Sequence, residues 1–341
     1  MDVGLALPLL VALIVVALAF DFLNGMNDAA NSIATIVSTR VLRPHYAVAW
    51  AAFFNFIAFM VFGLHVAETV GRGIVEADII DARIIFGALT GAIVWQIITN
   101  RLGIPSSSSH ALIGGLVGAG MAKAGSAAVV WTGVIKTVSG IVLAPGLGCL
   151  TALFLMLMVS WTFLRFTPFG VDRFFRRGQF VSASFYALGH GGNDAQKTMG
   201  IIAGALYTGG ILTKAQMQGD WGPLRWSIIL SAHLAIALGT YFGGWRIVHT
   251  MGSKITRLSP MQGCCAETAG AVTLFAATWL GVPVSTTHTI TGAIVGVGAA
   301  RRVSAVRWNV AKNIVIAWII TMPMSALIAA GAYWLSATLT Q

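Results

Sequence analysis

The chain has 341 residues, of which 57% are hydrophobic and only 9% charged, and its formal net charge is +10. Soluble domains carry about 25% charged residues, so this composition excludes an ordinary soluble enzyme, a disordered chain, a collagen and a disulfide scaffold. The basic residues lie in short connections between apolar segments, which is typical of a membrane protein and not of one that binds nucleic acid. We therefore predict an all-α polytopic membrane protein.

Ten apolar segments follow one another, and several are long enough to cross a hydrocarbon layer of about 30 Å. We predict them at 4–39, 46–64, 84–100, 104–122, 131–165, 180–208, 224–245, 264–280, 283–300 and 309–337. The first leads into a polar motif without a cleavage site, so we expect a membrane helix and not a signal peptide. The one longer polar connection, 166–179, is rich in arginine and is predicted to be cytoplasmic.

Two motifs occur twice in the same order, which indicates an internal duplication. The sequence GMNDAANS at 25–32 matches GGNDAQKT at 191–198. The sequence LGIPSSSSHALIG at 102–114 likewise matches LGVPVSTTHTITG at 280–292. Ordered matches of this kind predict two related membrane units in one chain.

The loop charges predict how the two units are oriented. No basic residue precedes Arg40, whereas the second unit follows directly after the arginine-rich connection 166–179. The first unit should therefore begin outside and the second inside. This arrangement predicts two inverted-topology repeats, 1–165 and 180–341, with broken helices, re-entrant half-helix hairpins and both termini outside.

The first duplicated motif places acidic residues at membrane depth, where a charge costs at least about 2.5–3.5 kcal/mol and so needs a reason. Asp28 and Asp194 are equivalent, and each follows an asparagine, Asn27 or Asn193, and lies near glycine. We predict unwound backbone at the glycines, with free carbonyls that join the carboxylate and amide oxygens around a cation such as sodium. The alternative is a hydrogen-bonded kink without a ligand.

The second duplicated motif joins a proline, Pro105 or Pro283, to a run of hydroxyl side chains. Proline is tolerated in the first helical turn, so each motif is predicted to start a half-helix inside the membrane. Two such starts would offer hydroxyls, N–H groups and positive dipole ends to an oxyanion, unless the hydroxyls bond back to helix carbonyls. The candidate anion ligands are Ser106, Ser107, Ser108, Ser109, Ser285, Thr286 and Thr287.

Five further ionisable residues lie in apolar segments and are candidates for carrying a proton or balancing charge: Asp21, His110, Lys197, Glu267 and His288. A structural role is the favoured interpretation of the two histidines, and a proton relay is the alternative. Lys197 lies three residues after Asp194 and could pair with it on one helical face. Glu267 is a candidate titrating carboxylate.

These four motifs, in this order, resemble those of the inorganic phosphate transporter (Pit) family, and NDAQKTMG at 193–200 resembles its bacterial low-affinity branch. The resemblance implies a secondary active symporter of inverted repeats, working by alternating access. It also implies a homodimer in the bacterial inner membrane that imports inorganic phosphate, free or as a metal-phosphate complex. In that family the Asn-Asp motifs help bind the cation, and the Ser/Thr motifs bind the phosphate.

The lysine in the second Asn-Asp motif bears on the coupling ion. The Lys197 ammonium would repel a sodium ion nearby, so we expect a proton in preference to sodium, and no cofactor besides the coupling ion. A sulfate symporter and a passive anion channel stay open as alternatives. We expect no enzymatic activity, because adjacent Ser and His residues on a helix point about 100° apart and no Gly-x-Ser-x-Gly elbow is present.

Overall fold

A computed structural model describes residues 7–76, 78–213, 216 and 221–339, and these residues are almost entirely helical. The only strand-like pairing among them is one bridge between Val75 and Val129. The first half contains α1 (Leu7–Ser38), α2 (Pro44–Ile57), α3 (His65–Arg72), α4 (Ala82–Leu102), α5 (Ser108–Ala124) and α6 (Trp131–Thr162). The second half contains α7 (Pro168–Thr208), α8 (Arg225–Phe242), α9 (Trp245–His249), α10 (Pro260–Trp279), α11 (Thr286–Arg301) and α12 (Trp308–Leu339). The prediction of an all-α architecture is confirmed.

Several helices have the length and composition of membrane spans. Within the described residues, α1, α4, α5, α6 and α12 pass this test, and they make five candidates. A sixth is the pair 222–242 and 245–254, which is bent by 63° at its break. The chain is therefore a multi-pass membrane protein. Residues 1–6 and 340–341 lie outside the described residues. They include the first residues of the apolar segment predicted from residue 4 and both termini, whose location outside stays a prediction.

The arginine-rich connection is helical for most of its length. Helix α7 begins at Pro168, where Thr167 caps it by accepting a hydrogen bond from the backbone N–H of Gly170 at 3.3 Å. A capping threonine followed by proline at the first helical position is a strong start signal. As a result α7 runs for 41 residues, and the apolar segment predicted from 180 is only its later part.

The two halves pack against each other in reciprocal pairs. Helix α5 packs on α12 while its counterpart α11 packs on α6, and α4 contacts α12 while α10 contacts α6. Helix α1 likewise packs on α8, and α2 on α7. Exchanging each of these helices for its counterpart, six helices further along the chain, reproduces these contacts. The order and packing of the helices thus repeat as the duplicated motifs do, while their opposite orientation in the membrane stays a prediction.

The backbone around the Asn-Asp motifs is not unwound, so that prediction was wrong. Helices α1 and α7 continue through both motifs without a break. A Cβ atom on Gly25 would lie 2.1 Å from the carbonyl oxygen of Ile236, and one on Gly191 would lie 2.5 Å from that of Asn55. These glycines therefore permit close approach between helices, and helical geometry is kept because every backbone group inside a membrane needs a partner.

Close helix crossings of this kind should be intolerant of even one added methyl group. In α5, a Cβ atom on Gly118 would lie 2.1 Å from the carbonyl oxygen of Ala326 in α12. We expect Gly118→Ala to destabilise the protein by about 1–3 kcal/mol, measured as a lower melting temperature in detergent. Gly331→Ala in α12 is the matched control, because no atom lies within 4 Å of its added methyl group. Equal melting temperatures for Gly118→Ala and Gly331→Ala would contradict the close crossing of α5 and α12 at Gly118.

Candidate functional site

Two glycines form the tips of the hairpins that carry the Ser/Thr motifs. Gly103 ends α4 with a backbone φ of +66°, and Gly281 follows α10 with a φ of +63°. Side chains other than glycine rarely adopt this left-handed conformation. After each tip the chain turns back and starts a second helix, α5 or α11, so a helical hairpin carries each Ser/Thr motif. Helices α4 and α5 are also candidate membrane spans, and the half-helix, re-entrant character of the hairpins stays a prediction.

Each half-helix start is capped by a serine of its own motif. The Oγ atom of Ser107 accepts a hydrogen bond from the backbone N–H of His110, and that of Ser285 accepts one from His288, both at 3.2 Å. The helices accordingly begin at Ser108 and Thr286, three residues after the prolines. Two of the seven hydroxyl groups predicted to meet an anion therefore also cap their helices.

The two half-helix starts contact each other directly in the interior. Thr287 Oγ1 lies 3.3 Å from the carbonyl oxygen of Ser106, and Ser109 Oγ lies 3.3 Å from that of Val284. The candidate anion ligands are all buried, and the most accessible of them, Ser106, is 6% exposed. The structure thus brings both Ser/Thr motifs to one site between the halves.

Asp28 links the two Ser/Thr motifs. Its Oδ2 atom accepts a hydrogen bond from Ser108 Oγ at 2.8 Å, and its Oδ1 atom accepts one from Thr287 Oγ1 at 3.1 Å. One donor comes from each half of the chain. The carboxylate therefore lies between the two helix starts, as part of the hydroxyl site and not apart from it.

The pair predicted between Asp194 and Lys197 is present and buried. Their Oδ1 and Nζ atoms lie 2.5 Å apart, with side chains 0% and 2% exposed. The ammonium also donates to Ser109 Oγ at 2.5 Å and to the carbonyl of Val284 at 3.0 Å. Thr286 donates to the other oxygen of Asp194 at 3.4 Å. The lysine therefore places a positive charge at the starts of both half-helices.

Asn31, which aligns with Lys197 when the motifs 25–32 and 191–198 are superimposed, was not predicted as a site residue but belongs to the site as well. Its amide donates to the hydroxyls of Thr286 at 3.2 Å and Thr287 at 3.0 Å. Lys197 makes the equivalent contact with Ser109 from the other half. Each position therefore reaches the half-helix of the opposite repeat, once with a neutral amide and once with a charge.

Asn27 and Asn193 do not join the aspartates around one point. Asn27 donates to the carbonyl of Gln96 at 3.2 Å and accepts from Asn100 at 2.5 Å. Asn193 donates to Thr278 Oγ1 at 3.0 Å. Neighbouring residues on a continuous helix point about 100° apart, so these amides contact α4 and α10 while the carboxylates face the hydroxyl site.

His190 is a site residue that sequence reasoning missed. One ligand atom from each of Asp28, His190 and Asp194 lies within 4.8 Å of the others, a spacing that suits a small cation. His190 Nε2 is 3.6 Å from Asp194 Oδ2, and its Nδ1 is 3.1 Å from Asn55 Oδ1. The spacing of four residues from His190 to Asp194 on one helix was the available signal.

Glu267 forms a separate polar cluster towards the end of α1. Its Oε1 atom accepts from Thr35 Oγ1 at 2.6 Å and from Gln179 Nε2 at 3.0 Å. Its Oε2 atom accepts from Ser182 Oγ at 2.5 Å. Among the described residues, three hydrogen-bond donors and no basic side chain contact this carboxylate.

Asp21 is the other carboxylate away from the hydroxyl site. It is 0% exposed, and neither of its oxygens forms a hydrogen bond to another described residue. Asn24 and Thr198 lie alongside it, and the charges of Asp194 and Lys197 act on it from α7. An ionised carboxylate in this position is costly, so Asp21 needs a proton or a cation near it.

The two histidines of the Ser/Thr motifs pack against each other. The ring centroids of His110 and His288 are 4.7 Å apart, and His288 stacks on Trp318 at 3.8 Å. Both side chains are fully enclosed, being at most 1% exposed. The structural role and the proton relay both stay predictions.

Comparison with known proteins adds independent findings. Residues 24–329 match the model of a family described as the phosphate transporter family. The chain is 68% identical over 334 residues, 98% of both chains, to a "Probable low-affinity inorganic phosphate transporter" of Rhizobium meliloti (strain 1021). It is 42% identical to a protein of the same description from Bacillus subtilis (strain 168), again over 98% of both. A solved structure described as "The sodium-dependent phosphate transporter" superposes with a TM-score of 0.87, at 26% identity, covering 97% of this chain and 100% of that one.

Proposed function

The chain belongs to the phosphate transporter family, and we propose that it imports inorganic phosphate, free or as a metal-phosphate complex, in symport with a cation. The family consists of transporters and not of enzymes, as expected for this chain. The observation that carries the proposal is the meeting of two hydroxyl-lined half-helix starts around Asp28, in the interior between the halves. Alternating access would then expose this one site to each side in turn.

Phosphate binding is proposed at the starts of α5 and α11. The hydroxyls of Ser108, Ser109, Thr286 and Thr287 face this region, and the first N–H groups and dipoles of both helices favour an anion there. Hydroxyls that now donate to the aspartates would donate to phosphate oxygens. Asp28 can accept a hydrogen bond from the P–O–H group of monohydrogen phosphate, which sulfate does not have.

A coupling cation is proposed because phosphate brings further negative charge to an already acidic site. Asp28 and Asp194 contribute two carboxylates to the site, where Lys197 contributes one ammonium, and a third carboxylate, Asp21, lies close enough for the charges of Asp194 and Lys197 to act on it. Carrying uncompensated charge through the membrane costs about 2.3 kcal/mol per elementary charge per 100 mV. A co-transported cation or proton removes that cost.

We favour a proton as the coupling ion. The ammonium of Lys197 lies 2.5 Å from Asp194, within the group that could otherwise hold a sodium ion with Asp28 and His190, and it would repel one. Asp21 is the best proton acceptor, because neither of its oxygens accepts a hydrogen bond from the Asn24 and Thr198 side chains alongside it, whereas Glu267 accepts three hydrogen bonds. Sodium is the alternative, because the similar solved structure is that of a sodium-dependent phosphate transporter.

Asp21→Asn is expected to abolish phosphate accumulation driven by a pH gradient while leaving phosphate exchange across the membrane active. Exchange needs only movement of the loaded site, whereas accumulation needs binding and release of the coupling ion. The measurement is radiolabelled uptake into proteoliposomes in both modes. Asp81→Asn, which removes an exposed pair with Lys123, is the control and should retain both activities. Loss of exchange together with accumulation would contradict the assignment.

The decisive test of the whole proposal uses the same proteoliposomes with a pH gradient or a sodium gradient imposed separately. Accumulation of phosphate with the pH gradient, undiminished by excess sulfate, is the expected result. Uptake only with sodium would replace the proton by a metal at Asp28, His190 and Asp194. Strong competition by sulfate would contradict phosphate as the preferred cargo, and equilibration without accumulation would indicate a channel.

The proposed setting is a homodimer of inverted repeats in the bacterial inner membrane, with both termini outside. The resemblance of the four motifs supports the dimer and the inversion, and the basic connections support the orientation. Single cysteines at Arg173 and at Asp81, in a variant without the native cysteines, should react with an impermeant reagent from opposite sides. Labelling of both from one side would rule out this orientation.

A further inference from the structure

Two adjoining cavities lie beside the tip of the α4–α5 hairpin. Their volumes are about 520 and 380 Å³. Both are lined by Leu102 and Gly103 of the hairpin and by Thr250 and Lys254 of the segment that follows α9. Because they share these walls, the cavities form one groove, which we call the hairpin groove.

The larger part of the hairpin groove is apolar. Its walls include Trp95 and Ile98 of α4 and Ile316 and Ile320 of α12. Three of these side chains are also exposed on the helix surface, Ile98 by 39% and both Ile316 and Ile320 by 42%. The apolar part is therefore continuous with the outer surface of candidate membrane spans and can admit a hydrocarbon chain sideways.

The smaller part of the hairpin groove is basic. It is lined by Arg101, Arg246, His249 and Lys254, and among the described residues the lining of neither part includes an acidic side chain. The guanidinium of Arg246 donates to the carbonyl of Arg101, which fixes it at the rim. Arg246 and Lys254 belong to a basic connection that loop charge predicts to be cytoplasmic.

We propose that the hairpin groove binds an anionic phospholipid, with an acyl chain in the apolar part and the headgroup phosphate at the basic rim. The basic part alone would suit a free anion, which does not need the apolar wall. The apolar part alone would suit a zwitterionic lipid, which does not need the basic side chains of Arg101, Arg246 and Lys254. An anionic lipid uses both. Such lipids are drawn to clustered basic residues on the cytoplasmic side of a membrane.

The floor of the hairpin groove connects the lipid to the transport site. Gly103, Ile104 and Pro105 line the apolar part, and Ser106 follows directly. The hydroxyl of Ser106 donates to that of Thr99 at 2.9 Å, and Thr99 itself lines the groove. A bound acyl chain would therefore support the segment that places the first Ser/Thr motif, and transport should be faster in anionic bilayers.

Binding is tested on the full-length protein with dioleoyl phosphatidylglycerol and dioleoyl phosphatidylcholine as probes, by native mass spectrometry of lipid retained in detergent. We expect the protein to retain phosphatidylglycerol selectively. The double variant Arg101→Gln/Lys254→Gln should weaken this retention about thirtyfold, the change expected for two basic residues beside an anionic headgroup. Arg301→Gln/Arg302→Gln is the matched control, because it removes equal charge from a basic cleft elsewhere.

A second variant separates lipid from free anion. Ala317→Phe narrows the apolar part and leaves the rim charges in place, so it should also reduce phosphatidylglycerol retention. Equal loss in the two double variants, equal retention of both lipids, or an unchanged Ala317→Phe variant would each overturn the proposal. The proposal would also be overturned if Arg101→Gln/Lys254→Gln or Ala317→Phe converted a dimer to monomers without changing the amount of phosphatidylglycerol retained. That result would make the groove an interface between two copies of the chain. Binding is measured without transport, so failure of the symport proposal would leave this result standing.

Discussion

Asp194→Asn is expected to abolish phosphate uptake and to destabilise the protein by about 3–5 kcal/mol, because it leaves the Lys197 ammonium buried without its counter-charge. The two groups are 2.5 Å apart with side chains at most 2% exposed, so solvent cannot replace the lost partner. The same ammonium donates to Ser109, and its displacement would disturb the start of α5. Melting temperature in detergent and uptake into proteoliposomes measure the two effects.

The control for this prediction lies on the same helix. Asp172 and Arg176 of α7 form an ion pair of 2.8 Å whose side chains are 47% and 43% exposed. Asp172→Asn should therefore change stability by no more than about 1 kcal/mol and leave uptake intact. The double variant Asp194→Asn/Lys197→Gln should recover most of the lost stability without recovering uptake. If Asp194→Asn alone were as stable as the unmodified protein, Lys197 would have another counter-charge.

What the sequence predicted best was local. The proline, hydroxyl run and histidine repeated at 105–110 and 283–288 were sufficient to predict two helix starts, since proline and hydroxyl caps act within one turn. The pairing of Lys197 with Asp194 was predictable for the same reason, because three residues along a helix bring side chains together. His190 lies four residues before Asp194, and the same rule could have found it.

The errors came from interactions that the sequence does not reveal. Gly25 and Gly191 were expected to loosen the backbone, but the same residue also permits tight helix crossing, and only the positions of Ile236 and Asn55 decide between the two. The contact of Asn31 with Thr287 joins residues 256 positions apart. No periodicity or spacing encodes such a distance, so the cross-repeat half of the site required the structure.

Thr287→Val is expected to raise the KM for phosphate uptake by about 10- to 100-fold, the loss that follows when one hydrogen bond to a charged group is removed. Valine keeps the shape of threonine, so packing of α11 should be unchanged. The lost hydroxyl donates to Asp28 at 3.1 Å and accepts from Asn31 at 3.0 Å, so it lies where both halves meet. Initial rates of radiolabelled uptake over a range of phosphate concentrations give the KM.

Thr289→Val provides the comparison that assigns this effect to the site. The Thr289 hydroxyl bonds back to the carbonyl of Ser285 at 2.9 Å within its own helix, a local bond that contributes little to ligand binding. Its KM should stay close to that of the unmodified protein although the chemical change is identical. If both variants lost affinity equally, the cause would be a weakened α11 and not a lost ligand. A change confined to Thr287→Val would place phosphate at the junction of the two helix starts, because Thr287 donates to Asp28, which also accepts from Ser108 of the other half, whereas Thr289 bonds only within its own helix.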